Sequence, residues 1–264
     1  MRLGRVGNLL LALWCAALCG VVQAAPADAA PFTMVVDPGH NPSQPGALGI
    51  KGIYEVAYND HLAAQVIDAL KAEGITVLLT RLPSAEISLD GRAQLANTSH
   101  ADLYLSIHHD SAQLGYLERI TDEGKVAYRT KVPLSGYSIF VSTHNPRYDD
   151  SRRFADALGQ QLYALGRAPS KHHGEKIPGE NRELLDPKLG IYRFDDLIVL
   201  KKTTVPAVLL EVGVIVDQAD EAYVSDAGHQ QAIVRAIVAA VRTFRSTRPT
   251  ANEPSQDVQS MPGY

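Results

Sequence analysis

Two histidines and two glutamates sit where they could do chemistry together. His40 follows the strand-like run "TMVVD", and His108 closes the strand-like run "DLYLSIH". Two imidazoles make an incomplete metal site, because a catalytic zinc usually takes three protein ligands and leaves one position for water. Glu55, in "KGIYEVAYN", is the leading candidate for the missing carboxylate. It follows the Pro- and Gly-rich loop after His40, where the chain must turn back past the tip of the first strand. A His, Glu, His donor set suits Zn2+. Glu211 lies inside the apolar run "AVLLEVG", where an unpaired carboxylate is costly unless its pKa shifts or it finds a partner. Water beside a metal is such a partner: a carboxylate there can take its proton and hand it to a leaving nitrogen. The four residues imply metal-assisted hydrolysis of an amide.

These residues need elements that bring them to one edge. Strand-like segments fall at 33–37, 75–80, 102–108, 137–142 and 207–213, and helix-like segments fall between them. The alternation predicts a single α/β domain: a twisted, mostly parallel sheet with helices on both faces. The segment "NDHLAAQVIDALKAEG" puts Leu62, Val66, Ile67 and Leu70 on one face and stops at Gly74. "SLDGRAQLAN", "SRRFADALGQQLYALG" and "HQQAIVRAIVAAVRTFR" complete the helices. In such a sheet, ligands gather beyond the carboxyl ends of the strands, which is where His40, His108 and Glu211 fall.

The ends read differently. Residues 1–24 carry Arg2 and Arg5, an apolar run and a small-residue cleavage site, the pattern of an export signal. A linker is expected over 25–31, the catalytic domain over 32–246 and a loose tail over 247–264. Both cysteines, Cys15 and Cys19, lie in the leader, so a processed chain has no thiolate ligand and any metal falls to His, Asp or Glu. The net charge of −4 counts the two leader arginines, which leaves the processed chain more negative still and argues against nucleic acid as a partner. No other stretch is apolar enough to span a bilayer once the signal is gone. A periplasmic or secreted location is expected.

Other polar residues get plainer readings. His109 should point to the face opposite His108. His172 and His173 lie in a polar loop and are expected to be solvated; His61, His100, His144 and His229 are read as structural or exposed. Asp37 is read as an outer partner that could orient His40 through its second nitrogen. Arg81 and Arg92 are expected to pack or to pair with acids. Glu55 also fits a helix-start carboxylate, and Glu211 a buried ion-pair member.

Taken in order, "VVDPGH", "PGALG", "GIYEVAYN", "VLLTR", "SLDGRAQLAN", "ADLYLSIHHD" and "PAVLLEVGVI" resemble the zinc-dependent N-acetylmuramoyl-L-alanine amidases of the bacterial cell wall. The resemblance implies that His40, Glu55 and His108 bind Zn2+ and that Glu211 is the catalytic acid/base. The bond cut would join the lactyl group of N-acetylmuramic acid to L-alanine of the stem peptide, making peptidoglycan the partner. A zinc peptidase acting within the stem peptide and a non-catalytic wall-binding regulator are the alternatives. The chain departs from the pattern in a loop after His40 that has less glycine than is usual there and in two excursions, 111–135 and 167–190. Some members of that family cover the metal with an inserted helix until a protein activator draws it away. The residues leave open whether either excursion gates the site, and an activator is carried as a partner on that ground.

Overall fold

The computed structural model describes residues 31–248. The expected leader, nearly all of the linker and the tail beyond Arg248 lie outside the described residues. The chain runs β1 (Thr33–Pro38), α1 (Glu55–Ala72), β2 (Thr76–Leu79), α2 (Leu89–Thr98), β3 (Leu103–Asp110), β4 (Leu117–Asp122) and β5 (Lys125–Thr130). It continues through β6 (Ser138–Val141), α3 (Tyr148–Ala164), β7 (Glu183–Asp186), β8 (Ile191–Arg193), α4 (Ile198–Lys201), β9 (Ala207–Val214), α5 (Gln218–Ser225) and α6 (Ala227–Ser246).

Among the described residues, seven strands form one sheet in the order β2-β1-β3-β9-β6-β8-β7, and β4 and β5 form a separate hairpin. The strands β2, β1, β3 and β9 run parallel; β6 lies antiparallel to β9, β8 parallel to β6, and β7 antiparallel at the edge. The expected mostly parallel sheet is therefore present, with reversals in its second half. Side chains alternate across it with period two. Met34, Leu105, Ile107 and Leu210 enter the larger core with α1, α3 and α6, while Val35, Tyr104, Phe140 and Leu209 enter a smaller one with α2 and α4. Burial on both faces explains why these strands read as continuous apolar runs.

Local chemistry sets the helix ends. Gly74 has a φ of 73°, and the N–H groups of Gly74 and Ile75 donate to Lys71 O and Leu70 O at 3.0 and 3.2 Å, so α1 closes in a Schellman turn. Ser88 caps α2 by accepting from Gly91 N at 3.0 Å, and Asp226 caps α6 by accepting from His229 N at 2.9 Å. Thr247 and Arg248, the first residues of the expected tail, are paired: Arg153 Nη1 donates to Thr247 Oγ1 at 3.0 Å and Arg248 meets Asp102 at 2.7 Å.

The two excursions hold ordered structure with no long helix. Residues 111–135 contain the β4–β5 hairpin, and 167–190 contain a single turn at His172–Gly174 and then β7. They are bonded to each other, Gln113 Nε2 donating to Glu180 Oε1 at 2.7 Å and Tyr116 OH to Glu175 Oε2 at 2.6 Å.

Candidate metal centre and active site

The strand β1 delivers His40 through a strained turn. His40 has a φ of 62°, in the left-handed region that a side-chain-bearing residue adopts at a cost. Two buried guanidinium groups hold it there: Arg81 Nε and Arg92 Nη2 both donate to His40 O, at 2.6 and 2.5 Å. Arg81 Nη2 also donates to Gly39 O at 3.0 Å and Arg92 Nη1 to Pro38 O at 2.7 Å. The pairing role expected of these arginines thus extends to the backbone that aims a site residue.

Asp37 corrects one expectation. It does not meet His40, whose Nδ1 faces Gln44 O at 3.2 Å. Asp37 instead accepts from Thr80 Oγ1, Arg92 Nη1 and Tyr104 OH, each at 2.5 Å, and from Ser106 Oγ at 2.7 Å. The left-handed turn at His40 carries its ring away from the strand, so the acid three residues earlier serves the arginine. Asp37→Asn puts an amide donor among four donors and removes the charge facing a buried guanidinium. Stability should fall by about 3–5 kcal/mol, read by urea denaturation.

Glu55 is the first residue of α1 and lies between the two imidazoles. Its Oε2 is 2.9 Å from His40 Nε2, and its Oε1 is 3.0 Å from His108 Nδ1. Ala47 N donates to Oε2 at 3.2 Å, and Asn59 Nδ2 and His109 N donate to Oε1 at 3.2 and 3.3 Å. Burial pushes the Glu55 pKa up, but the two histidines outweigh it and hold the carboxyl below the usual carboxylate range. Burial likewise lowers the His40 pKa, and Glu55 with the Gln44 carbonyl raises it past its ordinary value.

Two glycines make room for this cluster. A Cβ on Gly39 would lie 2.3 Å from two atoms of the His108 ring, and a Cβ on Gly46, where φ is 77°, would lie 2.4 Å from Glu55 Oε2 and 2.7 Å from the His40 ring. The donor atoms of His40, Glu55 and His108 lie within 4.8 Å of one another. Two imidazole nitrogens and one carboxylate, with His40 Nδ1 facing a carbonyl, match a borderline divalent ion such as Zn2+ in donor type and outer support. The side chains of His40 and His108 are 30% and 18% exposed, so the group is open to solvent. A cavity of about 250 Å3 opens beside it between residues 87–89 and 197–199, with both imidazoles in its wall.

Glu211 stands opposite His108 in the β3–β9 ladder, and the register shifts just beyond, between His108 and Asp110. Such a bulge at a strand end re-aims side chains. Glu211 Oε2 is buried and has no hydrogen-bond partner among the described residues. Burial first, then the charges of Asp110 and Glu55, push its pKa well above the ordinary value, against a smaller opposing effect of Arg182. A carboxyl that favours its proton beside open imidazoles can move a proton to and from a reacting group.

Other histidines divide. His109 points away from His108, as alternation predicts: its ring packs on Tyr58, and its Nδ1 lies 2.8 Å from Asn59 Oδ1. His61, His100, His144 and His229 are exposed. His172 and His173 overturn the solvated reading, being only 3% and 7% exposed and gathered on Asp110. Asn59 was not singled out from the sequence, although a polar residue on the buried face of α1, four after Glu55, was a usable signal.

Residues 34–243 match the family model Amidase_3, described as N-acetylmuramoyl-L-alanine amidase. The chain is 29% identical over 217 residues to the probable cell wall amidase LytH of Staphylococcus aureus, a match covering 81% of this chain and 58% of LytH. It therefore spans little more than half the length of that relative. Among solved structures it is similar to the amidase Ami1 of Mycobacterium smegmatis, with a TM-score of 0.66 and 21% identity over 84% of this chain and all of that one. It is also similar to the CwlD amidase of Clostridioides difficile, solved in complex with the GerS lipoprotein, with a TM-score of 0.61 and 19% identity over 82% of this chain and all of CwlD. A family match running from the second residue of β1 to the last turns of α6 is decisive, and the chain belongs to the N-acetylmuramoyl-L-alanine amidase family.

Proposed function

We propose that this chain is a zinc-dependent hydrolase of peptidoglycan that cuts the amide between the lactyl group of N-acetylmuramic acid and L-alanine of the stem peptide. His40, Glu55 and His108 hold Zn2+ and Glu211 is the general acid/base. The observation that carries the reading is the approach of His40 Nε2 and His108 Nδ1 to the two oxygens of Glu55, at 2.9 and 3.0 Å, with Glu211 opposite His108 on the adjoining strand. When bound, the ion supplies Lewis-acid polarisation of the amide carbonyl and makes water a stronger acid.

The chain does the rest. Glu211, in its ionised form, accepts the proton of the attacking water and returns it to the nitrogen as the C–N bond breaks, and burial raises its affinity for that proton. Arg81 and Arg92 keep His40 aimed, and Asn59 and the His109 amide keep Glu55 aimed, so the ligands need little reorganisation. The cavity between residues 87–89 and 197–199 receives the groups flanking the bond.

The expected leader and the family support a periplasmic or secreted enzyme; among the described residues no helix is long and apolar enough to cross a membrane. CwlD was solved with a lipoprotein, and a protein partner is proposed here on that likeness. Chelation supplies the test. Digestion of purified peptidoglycan should cease when metal is stripped and return with added Zn2+, and mass spectrometry should find intact stem peptides carrying a free L-alanine amine. Full activity without metal, or fragments cut inside the stem peptide, would overturn the reading.

A further inference from the structure

A second group of metal-type ligands stands beside the first. Among the described residues, Asp110, His172 and His173 also bring one donor atom each within 4.8 Å of one another. Asp110 ends β3, two residues after His108, while both histidines come from the single turn of the 167–190 excursion. That turn is firmly seated. Ser170 N donates to Tyr137 O at 2.8 Å, Arg182 N to His173 O at 2.8 Å, and the rings of Phe140 and Tyr192 pack on His173 with centroids 4.9 and 5.7 Å away.

Both imidazoles turn the same nitrogen to the same oxygen. His172 Nε2 is 3.2 Å and His173 Nε2 is 2.8 Å from Asp110 Oδ2, and the ring centroids are 4.0 Å apart. The other nitrogens face outer partners: His172 Nδ1 lies 2.7 Å from Ser170 Oγ, and His173 Nδ1 lies 2.9 Å from Glu180 Oε2. Glu180 is held in turn by Gln113 and Arg182. Metal-ligating histidines show this arrangement, with one nitrogen for the ion and the opposite N–H given to a carboxylate, carbonyl or hydroxyl.

Hydrogen bonding alone leaves a debt here. His172 Nε2 is buried and has no hydrogen-bond partner among the described residues, although it stands 3.2 Å from Asp110 Oδ2. A buried polar nitrogen without a partner costs about 1–3 kcal/mol, and one in a well-built pocket calls for a cause. A cation between the three side chains would use its lone pair. Donors of a tetrahedral site with bonds of ~2.0–2.1 Å stand about 3.3 Å apart, close to the 3.2 Å seen for His172 and Asp110.

We propose that Asp110, His172 and His173 form a second metal site, for a divalent ion of the zinc class, separate from the His40–Glu55–His108 group. Two imidazoles and one carboxylate select the same class of ion as the first group does. An ion here would fasten the 167–190 excursion to the end of β3 and put positive charge near Glu211, which feels the Asp110 carboxylate. The site does not depend on the hydrolytic reading above.

Metal content and anomalous diffraction test it. The full chain, equilibrated with a small excess of Zn2+ and freed of unbound metal, should hold two equivalents by mass spectrometry. His40→Ala should hold one, His173→Gln should hold one, and the double variant none. Asp110→Asn, which preserves shape, should weaken the second equivalent at least tenfold with an unchanged circular dichroism spectrum. Crystals of the zinc-loaded chain should give an anomalous peak between Asp110 and the two histidines. A peak at the His40 group alone, or no zinc in folded His40→Ala, would overturn the second site and leave the first standing. Zinc in His40→Ala that disappears in the double variant would sustain it even if the first site failed. If the variants fail to fold, the anomalous map of the unaltered chain decides.

Discussion

Glu211→Gln should lower peptidoglycan hydrolysis by roughly 10²–10⁴-fold, the usual contribution of a positioned general acid/base, while zinc content at the His40 group stays unchanged. Glutamine fills the same space between Leu210 and Val212 but cannot accept and return a proton. A second effect should accompany the loss. The folded protein holds the Glu211 proton well above the ordinary carboxylate value of 4.5, with burial the main cause. The unfolded chain releases that proton near the ordinary value, so this group's contribution to stability is full below pH 4.5 and declines as pH rises above it. Glutamine has no such charge to desolvate. In chelator-treated protein, Glu211→Gln should be more stable than the unaltered chain at neutral pH, and the difference should vanish below pH 4.5. Urea denaturation at several pH values measures this; equal stability at pH 7 would mean that the carboxylate has a partner when ionised.

Gly39→Ala should disable the proposed zinc group without replacing any of His40, Glu55 and His108. The added methyl would sit 2.3 Å from His108 Cε1 and Nε2, well inside contact distance, so the ring must leave its place beside Glu55. Gly39 is not among the glycines with positive φ, so alanine's backbone fits and the ring displacement is the whole effect. Because the His108 side chain is partly exposed, it can swing outward instead of unfolding the strand. Zinc affinity and hydrolysis should each fall roughly 10–100-fold, the range for changes that misorient a ligand. The expected stability loss is about 1–3 kcal/mol. Gly115→Ala is the control, since nothing lies within 4 Å of its added methyl. Titration with a zinc-competing chromophore reads the affinity; wild-type binding by Gly39→Ala would show that His108 is not held as described.

The gathering of His40, His108 and Glu211 was legible because these residues follow or interrupt apolar strands near their carboxyl ends. The parallel run β2-β1-β3-β9 brings those tips to one edge whatever the loops do. Asp37 was misread for a local reason: proximity to His40 in sequence suggested a contact that the left-handed turn at residue 40 prevents. His172 and His173 were hidden differently. Their loop is polar and rich in Pro and Gly, and its burial comes from Asp110, Phe140 and Tyr192, partners supplied by other segments. The β4–β5 hairpin leaves little trace in the sequence because its strands are half-exposed and alternate weakly, and the reversal at β6 follows from how a short strand docks beside β9. Strand and helix content is written in local pattern, whereas direction and loop burial depend on what arrives from elsewhere.

The bonds from Gln113 to Glu180 and from Tyr116 to Glu175 join two segments about sixty residues apart in sequence. Displacing either segment breaks these contacts to the other. Lengthening, shortening or recharging one segment would be felt at the other.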